Sequence, residues 1–290
     1  MIPFNFPTKA RRNHIIGLST PIILGMVSIN VIDIVDTAMI GFLGNKALAG
    51  VGVASFLFWG CFTLIIGIGS AVQTVTARRL GEDRLLSCGQ ALNAGLMMML
   101  IFAIPIMIVL FSLSPFILSF FTTDPEVHQF SISYFRWRIL GLAGVGASIC
   151  YRGFWNGIKS PNTYTVILLA TQVLNGVLTW VFIFGKFGCP PMGVTGAALG
   201  STIALWSGAI AYTWMTSVKK RHLKALQEWP KKHVLKQLFQ VGWPISLDQL
   251  SFSTNMICLF WVLGQIGTEA VAIAHVVITC VLALYLPGLG

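Results

Sequence analysis

Residues 17–44 read GLSTPIILGMVSINVIDIVDTAMIGFLG, an apolar run that contains Pro21 and two acids, Asp33 and Asp36. An α-helix needs about 20 residues to cross a bilayer, so this run is long enough. A carboxylate near the middle of a bilayer costs about 2.5–3.5 kcal/mol, and such groups usually face a protein interior or a wet cavity that moves ions or substrate. We therefore expect the rest of the chain to form a scaffold around these acids.

The composition of the chain is that of a membrane protein. Of its 290 residues, 56% are hydrophobic and 10% are charged, whereas soluble domains carry about 25% charged residues. Apolar runs of about 20 residues recur along the chain, which predicts helices and not a barrel. The predicted fold class is an all-α polytopic membrane protein. The predicted spans are residues 15–40, 53–76, 89–112, 132–152, 163–184, 194–217, 243–264 and 271–290.

The basic residues predict the orientation of the chain. Fifteen of the 19 Lys and Arg residues fall in the N-terminal segment or in the second, fourth and sixth connections. These segments are cytoplasmic by the positive-inside rule, so the N-terminus is predicted to be cytoplasmic. We therefore attribute the net charge of +10 to these cytoplasmic segments beside the lipid bilayer, and we expect no binding of nucleic acid.

An internal repeat emerges when the chain is shifted by 223 residues without gaps. The seventh predicted span then falls on the first, Pro21 coincides with Pro244, and both spans end in a G-x-x-G-x-x-A-x-A turn. Six helices separate the starts of the two spans, so the repeat is parallel. We predict a six-helix N-terminal lobe at 1–218, a basic cytoplasmic connector at 219–240, and one or two helices of a second lobe at 241–290. On this prediction the chain is a fragment of a longer protein.

Two further patterns concern helix packing. Gly196 and Gly200 form G-x-x-x-G, which predicts a close contact between helices. In the connector, apolar residues at helical spacing on a basic background predict either a short helix on the inner leaflet or a simple charged link. Those apolar residues are Val234, Leu235, Leu238 and Phe239.

Three motifs carry a family resemblance. They are VDTAMIGFLG at 35–44, RGFWNGIKSPN at 152–162 and PMGVTGAAL at 191–199. The chain resembles the multidrug and toxic compound extrusion (MATE) family of the wider polysaccharide and lipid flippase superfamily. The resemblance implies a twelve-helix bacterial inner-membrane antiporter that works as a monomer without a cofactor. Two lobes would enclose a central cleft and export cationic, amphipathic organic compounds in exchange for H+ or Na+.

The resemblance also implies an ion-coupling site. Asp36 occupies the position of the family's helix-one Asp, and Asn175 matches the Asn of its N-x-x-x-D pattern. Thr179 stands where that pattern has an acid, which removes one carboxylate from the set. Ser201 is a further neutral oxygen donor on the next helix.

Asp33 is our hypothesis for the missing second acid, because it lies one turn from Asp36 on the same helix face. Two acids this close in a low dielectric do not both ionise at low cost, which suits coupling to H+. Carboxylates with hydroxyls equally suit Na+ at Asp36, since hard cations prefer oxygen ligands; no other metal site is predicted. The plain alternatives are a hydrogen-bonded structural Asp36 and an Asp33 that only faces the cleft.

Asp248, Pro21 and Pro244 complete the predicted set. Asp248 on the seventh span is a candidate cation-binding residue in the substrate cleft, or an acid near the membrane surface that reaches water. Each proline removes a backbone hydrogen bond and permits a kink. The kinks would act as hinges that respond to the state of Asp36, or would be static.

The sequence lacks the common catalytic and phosphate-binding motifs, so we expect a non-enzyme. The first function hypothesis is an ion-coupled multidrug efflux antiporter working by alternating access. The alternatives are a flippase for lipid-linked oligosaccharides, which should carry several basic residues inside the membrane, and a non-transporting membrane fragment. The acids inside the membrane favour the first.

Overall fold

The computed structural model describes residues 9–122, 124–220, 223 and 225–266. The described residues form helices and no β-strand, which confirms the predicted all-α class. The predicted eighth span, at 271–290, lies outside the described residues. In chain order the helices are α1 (Lys9–Gly41), α2 (Asn45–Gly81), α3 (Leu85–Ser119), α4 (Pro125–Ile139), α5 (Leu142–Gly157), α6 (Pro161–Phe184), α7 (Gly193–Lys219) and α8 (Lys232–Ile266).

Five of the described helices are long and apolar enough to cross a membrane: α1 from Ile15, α2, α3, α6 and α7. Their outer surfaces expose large apolar side chains, among them Ile34, Val173 and Ile210, each about two-thirds exposed. Such surfaces would be unfavourable in water and suit a lipid environment. The chain is therefore a multi-pass membrane protein.

The predicted span at 132–152 is wrong as a single helix, because the chain breaks between α4 and α5 at Leu140 and Gly141. A break frees backbone carbonyls, which need partners away from water. Helix α7 supplies them: Thr202 Oγ1 donates to the Trp137 carbonyl at 2.8 Å, and Trp206 Nε1 donates to the Leu140 carbonyl at 3.0 Å. The break is thus held by side chains from a distant part of the sequence.

Helix α2 is the central element and packs against α3, α4, α5 and α8. Its contact with α5 requires glycine. A Cβ at Gly153 would lie 2.2 Å from the carbonyl oxygen of Gly69, and a Cβ at Gly157 would lie 2.8 Å from the Cβ of Thr76. The two backbones therefore approach as closely as they do only because these positions lack a side chain.

Helix α6 lies between α1 and α7. A Cβ at Gly196 would lie 2.6 Å from the backbone of Phe182, and one at Gly200 would lie 2.7 Å from the backbone nitrogen of Thr179. The close contact predicted from the G-x-x-x-G pattern is confirmed, and it sets α7 directly against the part of α6 that carries Thr179.

The basic connector does not form a separate surface helix. Helix α8 begins at Lys232 and continues through Pro244, so the amphipathic stretch is the first part of one long helix. Val234 and Leu238 are fully buried there. The preceding loop is fixed to α3, because Asn93 accepts from the Leu226 N–H at 2.7 Å and donates to the Glu228 carbonyl at 2.8 Å.

Candidate functional site

The centre of the candidate site is a series of side-chain hydrogen bonds between α1 and α6. Asn175 Nδ2 donates to Asp36 Oδ2 at 3.1 Å, and Thr179 Oγ1 donates to Asn175 Oδ1 at 3.3 Å. Asn175 is 9% exposed and Thr179 is fully buried, while Asp36 is half-buried. These three predicted residues are brought together although 139 positions separate Asp36 from Asn175.

In the structure Thr179 contacts Asn175 and not Asp36, which the sequence did not predict. Its hydroxyl contacts the amide oxygen of Asn175, which turns the amide nitrogen toward Asp36. An ionised Asp at position 179 would have no proton to donate to that oxygen. Thr179 therefore orients the partner of the acid and stands one step away from the acid itself.

One oxygen of Asp36 has no partner. Asp36 Oδ1 is buried and makes no hydrogen bond to any described residue. A buried carboxylate oxygen without a donor is costly, because it has lost water and gained nothing in return. This oxygen is thus an unsatisfied hydrogen-bond acceptor inside the protein.

Ser201 and Asp33 flank this chain. Ser201 is 4% exposed on α7, next to Gly200 and its contact with Thr179. Asp33 lies on α1 one turn before Asp36, but it is exposed, and its backbone carbonyl accepts a hydrogen bond from Thr37. Among the described residues no group of three or more His, Cys, Asp or Glu could hold a metal ion.

The remaining predicted residues lie apart from Asp36. Pro21 is inside α1, and its carbonyl accepts a hydrogen bond from Thr165 Oγ1 of α6 at 2.9 Å. Pro244 and Asp248 are exposed on α8. Helix α1 is therefore attached to α6 by polar contacts at two levels, one at Pro21 and one at Asp36.

Sequence reasoning missed a cavity, polar on one side, next to the Pro21 end of α1. Arg152 and Asn156 of α5 line it, together with Gln73 of α2 and Tyr164 of α6. The signal was present in the motif at 152–162, where Arg152 and Asn156 are four positions apart and so share a helix face.

Comparison with known sequences gives a consistent result. The sequence profile described as MatE matches residues 21–181, more than half of the chain. The multidrug resistance protein NorM of Vibrio cholerae is 25% identical over 271 residues, 92% of this chain and 59% of that protein. The probable multidrug resistance protein NorM of Thermotoga maritima is 26% identical over 283 residues, 96% of this chain and 60% of that protein. The chain thus spans about 60% of the length of these relatives.

Solved structures show the same fold. An outward-facing multidrug resistance MATE family transporter of the MOP superfamily matches with a TM-score of 0.86 at 25% identity, over 95% of this chain and 61% of that one. A MOP superfamily transporter from Pyrococcus furiosus gives a TM-score of 0.85 at 24% identity, over 94% of this chain and 61% of that one; at that identity the likeness concerns the fold alone. The helices, the three motifs and the sequence match agree, and the chain belongs to the MatE family.

Proposed function

We propose that this chain forms the ion-coupling part of a secondary active multidrug efflux antiporter. The observation that carries the proposal is the Asp36–Asn175–Thr179 chain, which leaves one buried carboxylate oxygen free. A group that binds and releases H+ or Na+ from within a membrane protein needs such an unsatisfied, enclosed acceptor.

The coupling step follows from the two oxygens of Asp36. When Oδ1 takes up H+ or Na+, the negative charge that draws the Asn175 amide to Oδ2 is neutralised or shared. Charge-assisted hydrogen bonds are about twice as strong as neutral ones, so the hold of α6 on this part of α1 weakens. Helix α1 would then bend at Pro21, where one backbone hydrogen bond is already missing. This bending would narrow the cleft and release the drug, as alternating access requires.

The proposed substrates are cationic, amphipathic organic compounds. The relatives from Vibrio cholerae and Thermotoga maritima are named as multidrug resistance proteins, and solved structures include MATE in complex with MaD3S and with MaL6. In this chain, Asp33 and Asp248 are exposed acids on α1 and α8 that would attract a cation to the cleft. The protein would act as a monomer in the bacterial inner membrane, with its N-terminus cytoplasmic.

The test is drug efflux by cells that express the complete gene product. Asp36→Asn keeps the shape of the side chain and removes its charge, and Asp33→Asn makes the same change one turn away. We expect Asp36→Asn to abolish efflux at an unchanged protein level, and Asp33→Asn to retain a larger share of it. Each measurement is repeated with the H+ gradient and the Na+ gradient collapsed in turn, and the gradient whose loss stops wild-type efflux identifies the ion.

Unchanged efflux in Asp36→Asn would overturn the coupling role of this residue. Efflux that survives the collapse of both gradients would overturn the antiport mechanism itself. Equal loss in the Asp33 and Asp36 variants would favour a shared carboxylate pair over a site centred on the Asn175 contact.

A further inference from the structure

The motif at 152–162 has two faces, and the proposed transport site uses neither. Gly153 and Gly157 form one face and pack against α2. Arg152 and Asn156 form the other, which lines a cavity of about 180 Å³ between α1, α2, α5 and α6. The glycine contacts therefore fix the direction in which the two polar side chains point.

The cavity has one rigid polar wall and one apolar wall. The ring of Tyr164 stacks on Tyr212 with centroids 5.3 Å apart, and Tyr212 stacks in turn on Tyr151 at 5.6 Å. Across the cavity, α1 contributes Ile22 and Met26, close to Pro21. A molecule bound here would contact polar groups of α5 and α6 at one end and apolar side chains of α1 at the other.

The charge of the cavity favours an anion. The guanidinium group of arginine is positively charged, and Arg152 makes no ion pair within the part of the chain that the structure describes. Tyr164, close to the start of α6 at Pro161, lines the cavity, and the N-cap residue Ser160 of this helix makes no capping hydrogen bond. The free N–H groups and the dipole of a helix N-terminus add to the attraction for an anion.

Asn156 adds a second requirement. Its Oδ1 atom is buried and has no hydrogen-bond partner among the described residues. A ligand that pairs with both residues must bring a negative charge to Arg152 and a hydroxyl or similar hydrogen-bond donor to Asn156. A phosphodiester with a hydroxylated headgroup has both, and its acyl chains would suit the apolar side chains of α1.

We propose that this cavity binds the phosphate of an anionic, hydroxylated phospholipid headgroup, and that the bound lipid links α1 to α5 and α6. The single arginine differs from the several basic residues that a flippase would need inside the membrane. The lipid is thus a bound component that restrains α1 near Pro21, and is not the transported substrate. This role goes beyond drug export and does not depend on Asp36.

The first test measures lipid binding to the purified complete gene product in detergent, without drug. Thermal stability is followed while dioleoyl phosphatidylglycerol, dioleoyl phosphatidylcholine or inorganic phosphate is titrated. We expect the glycerol lipid to bind at least about tenfold more tightly than the choline lipid, and Arg152→Gln to remove most of that preference. Arg78→Gln is the matched control, because it removes the same charge from an exposed arginine at the end of α2 outside the cavity.

A second variant tests the site independently, in case Arg152→Gln does not fold. Asn156→Asp conserves volume and places a carboxylate one turn from Arg152, so it should supply the missing anion internally. We expect it to raise the stability of the lipid-free protein and to abolish the preference for the anionic lipid.

Three results would overturn the lipid site. They are equal binding of the two lipids by the wild type, equal loss of preference in Arg78→Gln and Arg152→Gln, and an unchanged preference in Asn156→Asp. Stabilisation by inorganic phosphate alone, lost in Arg152→Gln, would retain an anion site but assign it to free phosphate and reject the lipid.

Discussion

Helices α1 and α2 are neighbours in sequence with opposite kinds of packing. Among the α1 residues whose burial is described, Gly25, Met39 and Ile40 are buried, whereas α2 buries sixteen residues along its length. Helix α1 packs mainly against α6, while α2 packs against four helices. The acid that we assign to ion coupling is thus on the helix that buries fewer residues within the described part of the chain.

The difference separates the fixed part of the molecule from the part that can move at low cost. Local opening is cheapest where few apolar contacts are buried. In α1 the side-chain hydrogen bonds to α6 are at Pro21 and Asp36, and few described residues are buried. In α2 many residues are buried, and its closest contacts with α5 are between backbones, which adjust least.

The largest effect is expected from Gly153→Ala, at the contact between α5 and α2. The new Cβ would lie 2.2 Å from the Gly69 carbonyl oxygen, and backbone cannot move aside as a flexible side chain can. Overpacking of this kind costs about 1–3 kcal/mol or more. We expect a strong loss of folded protein, measured as the yield of monodisperse protein after extraction and as the fall in Tm.

Gly60→Ala in α2 and Gly17→Ala in α1 are the controls, since a Cβ at either position meets nothing within 4 Å. Alanine is favoured over glycine in a helix by about 1 kcal/mol, so both variants should be neutral or slightly stabilised. Equal losses at Gly153 and Gly60 would mean that the close approach of α2 and α5 is not what holds the scaffold.

The second effect concerns the Asn175 contact. Asn175→Ala removes the donor to Asp36 Oδ2, and a hydrogen bond to a charged group contributes about 1.5–3 kcal/mol. We expect efflux to fall by at least about tenfold and Tm to fall as well, but by less than in Gly153→Ala. Thr179→Val should show a smaller loss of the same kind, since it only frees the Asn175 amide to rotate.

Asn30→Ala is the control for this pair, because Asn30 is exposed on α1 and its side chain donates to the Met26 carbonyl of its own helix. The interpretation fails if Asn30→Ala impairs efflux as much as Asn175→Ala does. It also fails if Thr179→Val causes a larger loss of efflux than Asn175→Ala.

The sequence was sufficient to predict the features of these helices that depend on local pattern. Hydropathy predicted six spans that each lie within one described helix, and the G-x-x-x-G pattern predicted a close helix contact, which α7 makes with α6. Asp36 and Asn175 were both candidates, but spacing cannot show that side chains 139 positions apart touch. The contact depends on how α1 lies against α6, which tertiary packing decides.

The same limit explains what was missed. The break at Leu140 and Gly141 was hidden because hydropathy measures length and not continuity, and the break is stabilised by Thr202 and Trp206 of another helix. The Asn93 contact with the loop before α8 likewise joins residues 133 positions apart. Even the role of Thr179 followed only once its donor direction toward Asn175 was known.

The third effect is at the other end of α1. Thr165→Val removes the hydroxyl that donates to the Pro21 carbonyl, with little change in volume. A neutral hydrogen bond contributes about 0.5–1.5 kcal/mol, so Tm should fall slightly. If Pro21 is a hinge, the transport rate should change more than the stability does. Thr163→Val on the same helix is the control, and equal effects of the two variants would show that the Pro21 contact is only structural.

The smallest effect is expected where α2 is held by charge and not by packing. Asp124 caps α4 through the N–H groups of Glu126 and Val127 and lies 3.6 Å from Lys46 Nζ at the start of α2. These N–H groups, followed by Lys46, hold the pKa of Asp124 below its usual value. Its stabilisation is therefore present above the unfolded pKa of about 3.9 and is lost as the pH falls through the lower folded pKa.

Asp124→Ala should lower Tm slightly and evenly between pH 7 and 5. The gap to the wild type should start to narrow below about pH 4 and close as the pH falls through the lower pKa of Asp124 in the folded wild type. Asp124→Asn should lose less, because an Asn side chain can still accept from the N–H groups. The ion pair with Lys46 is exposed, so it should add little. A loss at pH 7 as large as that of Gly153→Ala would show that charge, and not backbone packing, fixes this end of α2, and the division between the two helices would not hold there.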